Sequence, residues 1–394
     1  MAGEAVTTRG IVAMTEEQAA IVDTARAFAD EHLRPFAAQW DRDAHFEPSL
    51  VPKLGELGFL GMLLPTEYDG LALDSLSYLL ALEEIAAADA SAAVLMSVHN
   101  SLPTQMLHAF GTDEQKRRFL APMARGELLG AFALSEPDSG SDAASMRCQA
   151  VRDGDDWILT GTKAWITSGT HAGVILAMAR TDTPDARKGA KGISAFIITP
   201  DLPGFVVGKK EDKLGLRASP TVQLTFDAMR VPGDRLLGTE GMGLRYALQS
   251  LVHGRLGIAA QAIGIARAAF EAAVAYANER KQFGTPIKDF QGIQFKLADM
   301  ATRITAARAL LHQTATAKDR GADVSAEASM CKLFASETAM WVTTQAIQVF
   351  GGYGYVKEYP VERHFRDAKV TEIYEGTSEI QRVVIGRAVS ERQR

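Results

Sequence analysis

Cysteine is scarce in this 394-residue chain: only Cys148 and Cys331 occur, far apart in the sequence. A disulfide framework or a cysteine-rich metal site is therefore excluded, and a cytoplasmic location is the default expectation. No uncharged apolar stretch approaches the ~20 residues that span a bilayer. The first fourteen residues carry one arginine and lack the apolar centre of a signal peptide. We therefore expect neither a membrane span nor a secretory leader.

Several common catalytic signatures are also missing. The chain has no Walker A loop, no Gly-x-Gly-x-x-Gly turn opening a helix and no His-Glu-x-x-His pair. These absences remove most support for an ATPase, an NAD-binding Rossmann enzyme or a zinc hydrolase, and we expect no metal. Lys and Arg number 42 against 48 Asp and Glu, without a long block of one sign. We therefore expect no binding surface for nucleic acid or for an anionic membrane.

What is present is the composition of a globular protein, with 47% hydrophobic and 23% charged residues. The first third of the chain has helical periodicity and is rich in Ala and Leu. Thr15 and Gln18 form a candidate capping box for its first helix, and the run Leu79–Met96 predicts one buried helix. This region therefore predicts a helical domain.

The middle of the chain has a different pattern, in which short β-type runs alternate with Gly, Pro and Asp. Val222, Leu224 and Phe226 alternate with period two, and the other runs predict further strands of a small antiparallel barrel or sandwich. Those runs are Trp157–Leu159, Val174–Ala179, Ala195–Ile198 and Phe205–Val207.

From Gly241 onward the apolar residues again recur every three or four positions, over long stretches. This spacing is typical of long amphipathic helices in an antiparallel bundle. We therefore predict an α+β fold, mostly α. Its parts are an N-terminal all-α domain (1–129), a middle antiparallel β-barrel or sandwich domain (130–240) and a C-terminal four-helix bundle (241–394).

Four polar or glycine-rich segments are candidates for chemistry. Each has a plainer interpretation when taken alone: an interdomain loop for the first, core packing of Trp165 for the second, a solvated helix end for the third and a surface Glu375 for the fourth. The segments are Ala133–Asp142, Trp165–Gly169, Glu279–Gly284, and Gln348–Tyr355 together with Ile373–Arg382.

Glu375 is the most informative of these residues. It follows Ile373 and Tyr374 and precedes Gly376, just before a predicted helix. A carboxylate in such an apolar setting has its pKa raised by desolvation, as a general base working near neutral pH requires.

Taken together and in this order, the four segments resemble the acyl-CoA dehydrogenase family over residues 15–386. That resemblance implies a FAD enzyme, usually a homotetramer, that oxidises an acyl-CoA thioester and passes electrons to electron-transfer flavoprotein. It implies Glu375 as the base that takes the α-proton while the β-hydride moves to the flavin. The backbone N–H of Glu375 and a ribityl hydroxyl of FAD would bind the thioester carbonyl.

The resemblance also implies roles for further residues. The flavin ring and its surroundings would be held by Leu134, Ser135, Gly140, Ser141, Trp165, Ile166, Thr167, Thr377 and Glu379. Across a subunit interface, the adenosine diphosphate half would be held by Arg280, Gln282, Phe283, Gln291, Gln348, Gly351 and Gly352. The substrate would be bound by Ser141, Gly254, Arg255, Tyr374, Glu375 and Gly376.

One departure within the family bears on the base, and several segments bear on the substrate. Some family members carry the base just before the position of Arg255, where this chain has Gly254, so Glu375 is the remaining candidate. Lys209–Gly215 and the segments around Gly254 and Glu375 look most like the short-chain (butyryl-CoA) subgroup. This implies fatty-acid β-oxidation or, for a short branched substrate, branched amino-acid breakdown. The alternatives are a flavin acyl-CoA oxidase and a catalytically silent scaffold.

Overall fold

The computed structural model describes residues 14–183 and 189–391. The first fourteen residues, for which we predicted no secretory leader, lie almost wholly outside these ranges. Among the described residues, seven α-helices precede the sheet: α1 Glu16–His32, α2 Ala37–Asp43, α3 Leu50–Glu56, α4 Ser75–Ala88, α5 Ala90–Ser101, α6 Pro103–Phe110 and α7 Asp113–Ala124. The predicted capping box at Thr15 is confirmed, because the Thr15 hydroxyl accepts from the Gln18 N–H at 3.1 Å and the Gln18 side chain accepts from the Thr15 N–H.

The prediction of one buried helix over Leu79–Met96 is wrong. The segment is buried, but it is divided between α4 and α5 at Asp89, whose backbone is extended with φ −148° and ψ 112°. The Asp89 carboxylate accepts from the Ala92 N–H at 2.7 Å. It therefore caps α5 and begins a new helix.

The middle region forms one eight-stranded sheet, and each predicted run lies in a strand. The strands are β1 Leu129–Ala133, β2 Gln149–Asp153, β3 Asp156–Thr167, β4 Ala172–Arg180, β5 Ile193–Ile198, β6 Phe205–Lys210, β7 Thr221–Val231 and β8 Leu236–Leu237. Their order is β6-β7-β3-β2-β4-β5-β8, with β1 paired to β4. Most pairs are antiparallel, as predicted, whereas β1 and β2 run parallel to β4.

Up to residue 391, where the described part of the chain ends, five α-helices and a small hairpin follow the sheet: α8 Gly243–Glu279, β9 Lys281–Gln282, β10 Thr285–Pro286, α9 Gln291–Asp319, α10 Ser325–Phe350, α11 Val361–Val370 and α12 Ser378–Glu391. By length and composition α8 could cross a membrane, but 78% of its most apolar window is buried inside the protein. It packs against α4, α5 and α10, so one apolar core joins the N-terminal helices to the bundle.

Candidate active site

The loop between α11 and α12 holds Glu375 in an unusual backbone conformation. Its φ is 52°, and that of Gly376 is 91°. The left-handed region is costly for a residue with a Cβ, so the surrounding contacts must maintain it. The Gln381 side-chain amide donates to the Glu375 carbonyl at 3.2 Å and to the Gly376 carbonyl at 2.9 Å.

The Glu375 carboxylate is buried and unpaired. Neither oxygen has a hydrogen-bond partner in the part of the chain that the structure describes. Burial raises the pKa of Glu375 from 4.5 to about 7, although the positive charges of Lys332 and Arg255 oppose the rise. The plainer interpretation, a solvated surface glutamate, is therefore wrong.

Gly254 on α8 provides the space that this carboxylate occupies. A Cβ at position 254 would lie 2.7 Å from Cδ of Glu375 and closer still to Oε2. Ordinary contact between two carbon atoms requires about 3.5 to 4.0 Å. Glycine is therefore required here for steric reasons, because a side chain at position 254 would occupy the same space as the Glu375 carboxylate.

Several polar groups surround Glu375. Arg255 is buried and donates from Nη1 to the Ser329 hydroxyl at 3.1 Å. The Tyr374 hydroxyl donates to Oε1 of Gln261 on α8. The hydroxyls of Tyr78 and Ser97 are buried nearby. Unsatisfied buried polar atoms such as the two Glu375 oxygens are costly, and a cluster of polar groups beside them is typical of a ligand site.

The segment that contains Leu134 and Ser135 is fixed by a buried ion pair that the sequence interpretation missed. Nζ of Lys163 lies 2.8 Å from Oε1 of Glu136 and 3.1 Å from the Leu134 carbonyl. The Ala164 N–H donates to the Ser135 carbonyl at 2.9 Å. The ion pair thus holds this segment beside the end of β3, whereas Gly140 and Ser141 are exposed further along.

Trp165 lies at the end of β3 with 63% of its surface exposed and a φ of 64°. Core packing, the plainer interpretation of this residue, is wrong. The neighbouring Ile166 is buried in the sheet core and Thr167 is half-buried, so Ile166 can offer only its backbone to a ligand. An exposed indole is suited to stacking on a flat cofactor.

Apart from the surroundings of Glu375, a second candidate site is a cleft of about 850 Å³ where α8 and α10 end, hereafter the second cleft. Five of the seven residues assigned to the adenosine diphosphate half line it: Arg280, Gln282, Phe283, Gly351 and Gly352. Phe283 is 95% exposed at a φ of 52°. Gln291 and Gln348 are exposed outside the lining, since they lie on the outer sides of α9 and α10. The cleft therefore combines a guanidinium, an aromatic ring and open glycine backbone.

The two candidate regions are well separated along α10. Lys332, two turns from its start, donates from Nζ to the Gly376 carbonyl at 2.8 Å, whereas Phe350 at its end lines the second cleft. Eighteen residues of helix correspond to about 27 Å. One chain therefore holds the Glu375 loop and the second cleft far apart.

The start of α12 carries the remaining two candidates. The Thr377 hydroxyl caps this helix by accepting from the Ile380 N–H at 3.3 Å. Glu379 is exposed, and its pKa is lowered by hydrogen bonds from its own backbone and from Thr377. The contacts of both residues with a cofactor stay predictions.

Sequence reasoning missed Lys332 and Gln261, which lie on helices remote in sequence from Glu375. It also gave no role to Gln381, although this residue lies only six positions beyond Glu375 in the fourth candidate segment. Lys332 gave no signal, because the sequence predicts a long amphipathic helix in this region and a lysine is ordinary on the polar face of such a helix. Gln261 and Gln381 gave none either, because an amide in a helix is compatible with either face.

Comparisons with known proteins cover almost the whole chain. The three acyl-CoA dehydrogenase family profiles match residues 15–127 (N-terminal domain), 131–229 (middle domain) and 241–390 (C-terminal domain). The short-chain specific acyl-CoA dehydrogenase of Bos taurus mitochondria is 50% identical over 95% of this chain and 90% of its own length.

Solved structures agree with this similarity. Butyryl-CoA dehydrogenase from Megasphaera elsdenii has 43% identity and a TM-score of 0.94, covering 96% of this chain and 99% of its own. A chain from a structure described as electron transferring flavoprotein of Acidaminococcus fermentans has 46% identity and a TM-score of 0.93, covering 96% and 98%.

Proposed function

Because this chain belongs to the acyl-CoA dehydrogenase family, we propose that it oxidises a short-chain acyl-CoA to the trans-2-enoyl-CoA with Glu375 as the base. The observation that carries the assignment of the base is the buried, unpaired carboxylate held against Gly254 by a left-handed loop. A carboxylate with a pKa of about 7 is well matched to proton abstraction near neutral pH.

The protein's part in the reaction follows from the loop geometry. The Glu375 carboxylate removes the proton from the α-carbon of the thioester, and burial keeps water from competing for it. The Glu375 N–H has no acceptor among the described residues, so it is free to donate to the thioester carbonyl. A donor aimed at the oxygen on which negative charge develops stabilises an enolate-like transition state.

The chain has groups suited to hold FAD, which supplies a hydride acceptor for the β-carbon when bound. Trp165 offers an exposed ring for the isoalloxazine, and the loop at Leu134 and Ser135 is fixed beside it by the Glu136–Lys163 pair. Arg280 in the second cleft provides the forked, permanently charged donor that suits a pyrophosphate.

The preference for a short acyl chain is supported by the relatives' names and by the polar residues near Glu375. Gln261, bonded to Tyr374, is seven residues from Gly254 on α8, or about 10 Å. A long acyl chain would bring methylenes against these groups and the Tyr78 hydroxyl, at a desolvation cost. Rates measured for unbranched acyl-CoAs of increasing length, and for isobutyryl-CoA and isovaleryl-CoA, test this. A maximum at or beyond eight carbons would contradict it.

We also propose a homotetramer in which neighbouring chains share each FAD site. The separation of about 27 Å along α10 supports this, because the second cleft is remote from the Glu375 loop of its own chain. Co-expression of Glu375→Gln with Arg280→Ala tests the sharing. A mixed oligomer should recover activity, because the Arg280→Ala chain keeps Glu375 and receives Arg280 from its neighbour. No recovery in verified mixed oligomers would refute it.

Electron-transfer flavoprotein is the proposed electron acceptor. The similarity to a chain in a structure described as electron transferring flavoprotein supports this assignment. Steady turnover with that flavoprotein, and none with NAD, is the expected result. We also propose a cytoplasmic location, which the two buried free thiols suit, and cell fractionation tests it.

A further inference from the structure

Lys332 is a buried charge for which the proposed reaction provides no role. It follows Cys331 and precedes Leu333 in the sequence of α10. Its side chain is wholly buried, and burial lowers its pKa to about 8. No carboxylate lies within 4.0 Å of Nζ in the described ranges. Taking an ammonium out of water without a close counter-ion is costly. Such a residue is a candidate for function when it adjoins an active site.

Among the described residues, this ammonium donates one hydrogen bond, and its acceptor lies in the loop that carries Glu375. Nζ donates to the Gly376 carbonyl at 2.8 Å, and the Gln381 amide donates to the same carbonyl at 2.9 Å and to the Glu375 carbonyl at 3.2 Å. Two side chains from different helices, α10 and α12, therefore fix two successive carbonyls. In the loop between α11 and α12, these two residues, Glu375 and Gly376, have left-handed backbone.

We propose that Lys332 is a positioning residue for the base: with Gln381 it clamps the Glu375 and Gly376 carbonyls and so directs the Glu375 carboxylate against Gly254. The carboxylate fills the space that a Cβ at position 254 would occupy, so it fits against α8 only while its own loop keeps it in this direction. The direction of the side chain therefore depends on the backbone of residues 375 and 376. The inference rests on Glu375 being the base.

The charge of Lys332 has a second effect, on the ionisation of Glu375. The groups that face this carboxylate are Lys332 from α10, Arg255 from α8, Tyr78 from α4 and Tyr374 from its own loop. Burial raises the pKa of Glu375, and Lys332 opposes that rise more strongly than Arg255 does. Removing the ammonium should therefore raise the pKa of Glu375 further and leave less of the ionised base at neutral pH.

Lys332→Met is the first test, since methionine keeps the length and apolar stem of the side chain without charge or donor. In the holoenzyme, the limiting rate of flavin reduction by butyryl-CoA is measured against pH. The ascending midpoint should move up by about one pH unit, and the plateau rate should fall about tenfold through lost alignment. Lys332→Arg, which restores charge and donor, should return the midpoint close to the wild-type value.

Gln381→Met separates positioning from charge. It removes both amide hydrogen bonds but keeps the ammonium, so the plateau rate should fall while the pH midpoint stays in place. Lys296→Met is the matched control, because Lys296 joins α9 to α10 through Gln345 at 2.6 Å. It should change neither quantity. The pH dependence of the unfolding temperature gives a readout independent of turnover: the Glu375 titration should move upward in Lys332→Met alone.

An unchanged midpoint and rate in folded, FAD-loaded Lys332→Met would overturn the inference. If that variant does not fold, Gln381→Met decides: an undiminished plateau rate overturns the clamp, and a diminished rate with an unmoved midpoint supports it. Glu375→Gln separates a failure of the base assignment from a failure of the positioning role of Lys332. Normal flavin reduction in Glu375→Gln defeats the base assignment, whereas an inactive Glu375→Gln beside a normal Lys332→Met defeats only the role of Lys332.

Discussion

The closest constraint on the proposed base is the glycine that faces it, so Gly254→Ala is a sensitive test of the geometry. The new methyl carbon would lie 2.7 Å from Cδ of Glu375, about 1 Å short of ordinary carbon–carbon contact. Helix α8 is long and buried along much of its length, so the flexible carboxylate should move rather than the helix.

A displacement of about 1 Å at a reacting group costs roughly 10²-fold in rate. Anaerobic stopped-flow reduction of the flavin by butyryl-CoA should therefore slow by about 10²-fold in Gly254→Ala, with FAD content unchanged. Gly386→Ala on α12 is the control, because a Cβ at that exposed helical glycine meets nothing within 4 Å. A rate within threefold of wild type in folded Gly254→Ala holoenzyme would refute the packing of Gly254 against the base.

Two further predictions concern stability. The pKa of Glu375 rises from 4.5 to about 7 on folding, so the native state binds its proton more tightly and Glu375 lowers stability progressively as pH increases between those values. The free energy of unfolding of Glu375→Gln should therefore exceed that of wild type above pH 7, by up to about 3 kcal/mol, and this gain should fade toward pH 4.5. Denaturant unfolding of both proteins measures the difference across this pH range, and a difference that does not change with pH would contradict the prediction. Glu136→Ala leaves Lys163 buried without its counter-ion and should lower the free energy of unfolding by about 3 to 5 kcal/mol, and a loss below about 1 kcal/mol would contradict that reasoning.

The elements could be predicted wherever one periodicity dominated. Leu256, Ile263 and Phe270 recur along α8 and are all buried, because a long helix must cover its apolar face. The break at Asp89 was missed, since the apolar pattern continues across it and a single cap divides the run. The parallel pairing of β1 with β4 was missed as well, because strand pairing depends on contacts between residues remote in the chain.

The candidate site was predictable in its residues but not in its supporting contacts. Glu375 was identified from its neighbours in sequence and from the family resemblance. Lys332 and Gln381 meet at the Gly376 carbonyl only after α10 and α12 have packed together. The collision that a side chain at position 254 would cause is likewise a property of the packed helices, and no local pattern encodes it.

Glu375→Gln tests the central claim most directly. The substitution preserves the shape of the side chain and removes its ability to accept the α-proton. FAD content and butyryl-CoA binding should be retained, whereas anaerobic bleaching of the flavin absorbance by butyryl-CoA should slow by about 10²–10⁴-fold, the usual contribution of a positioned base. Bleaching at a near-normal rate in the FAD-loaded Glu375→Gln protein would contradict the assignment of Glu375 as the base.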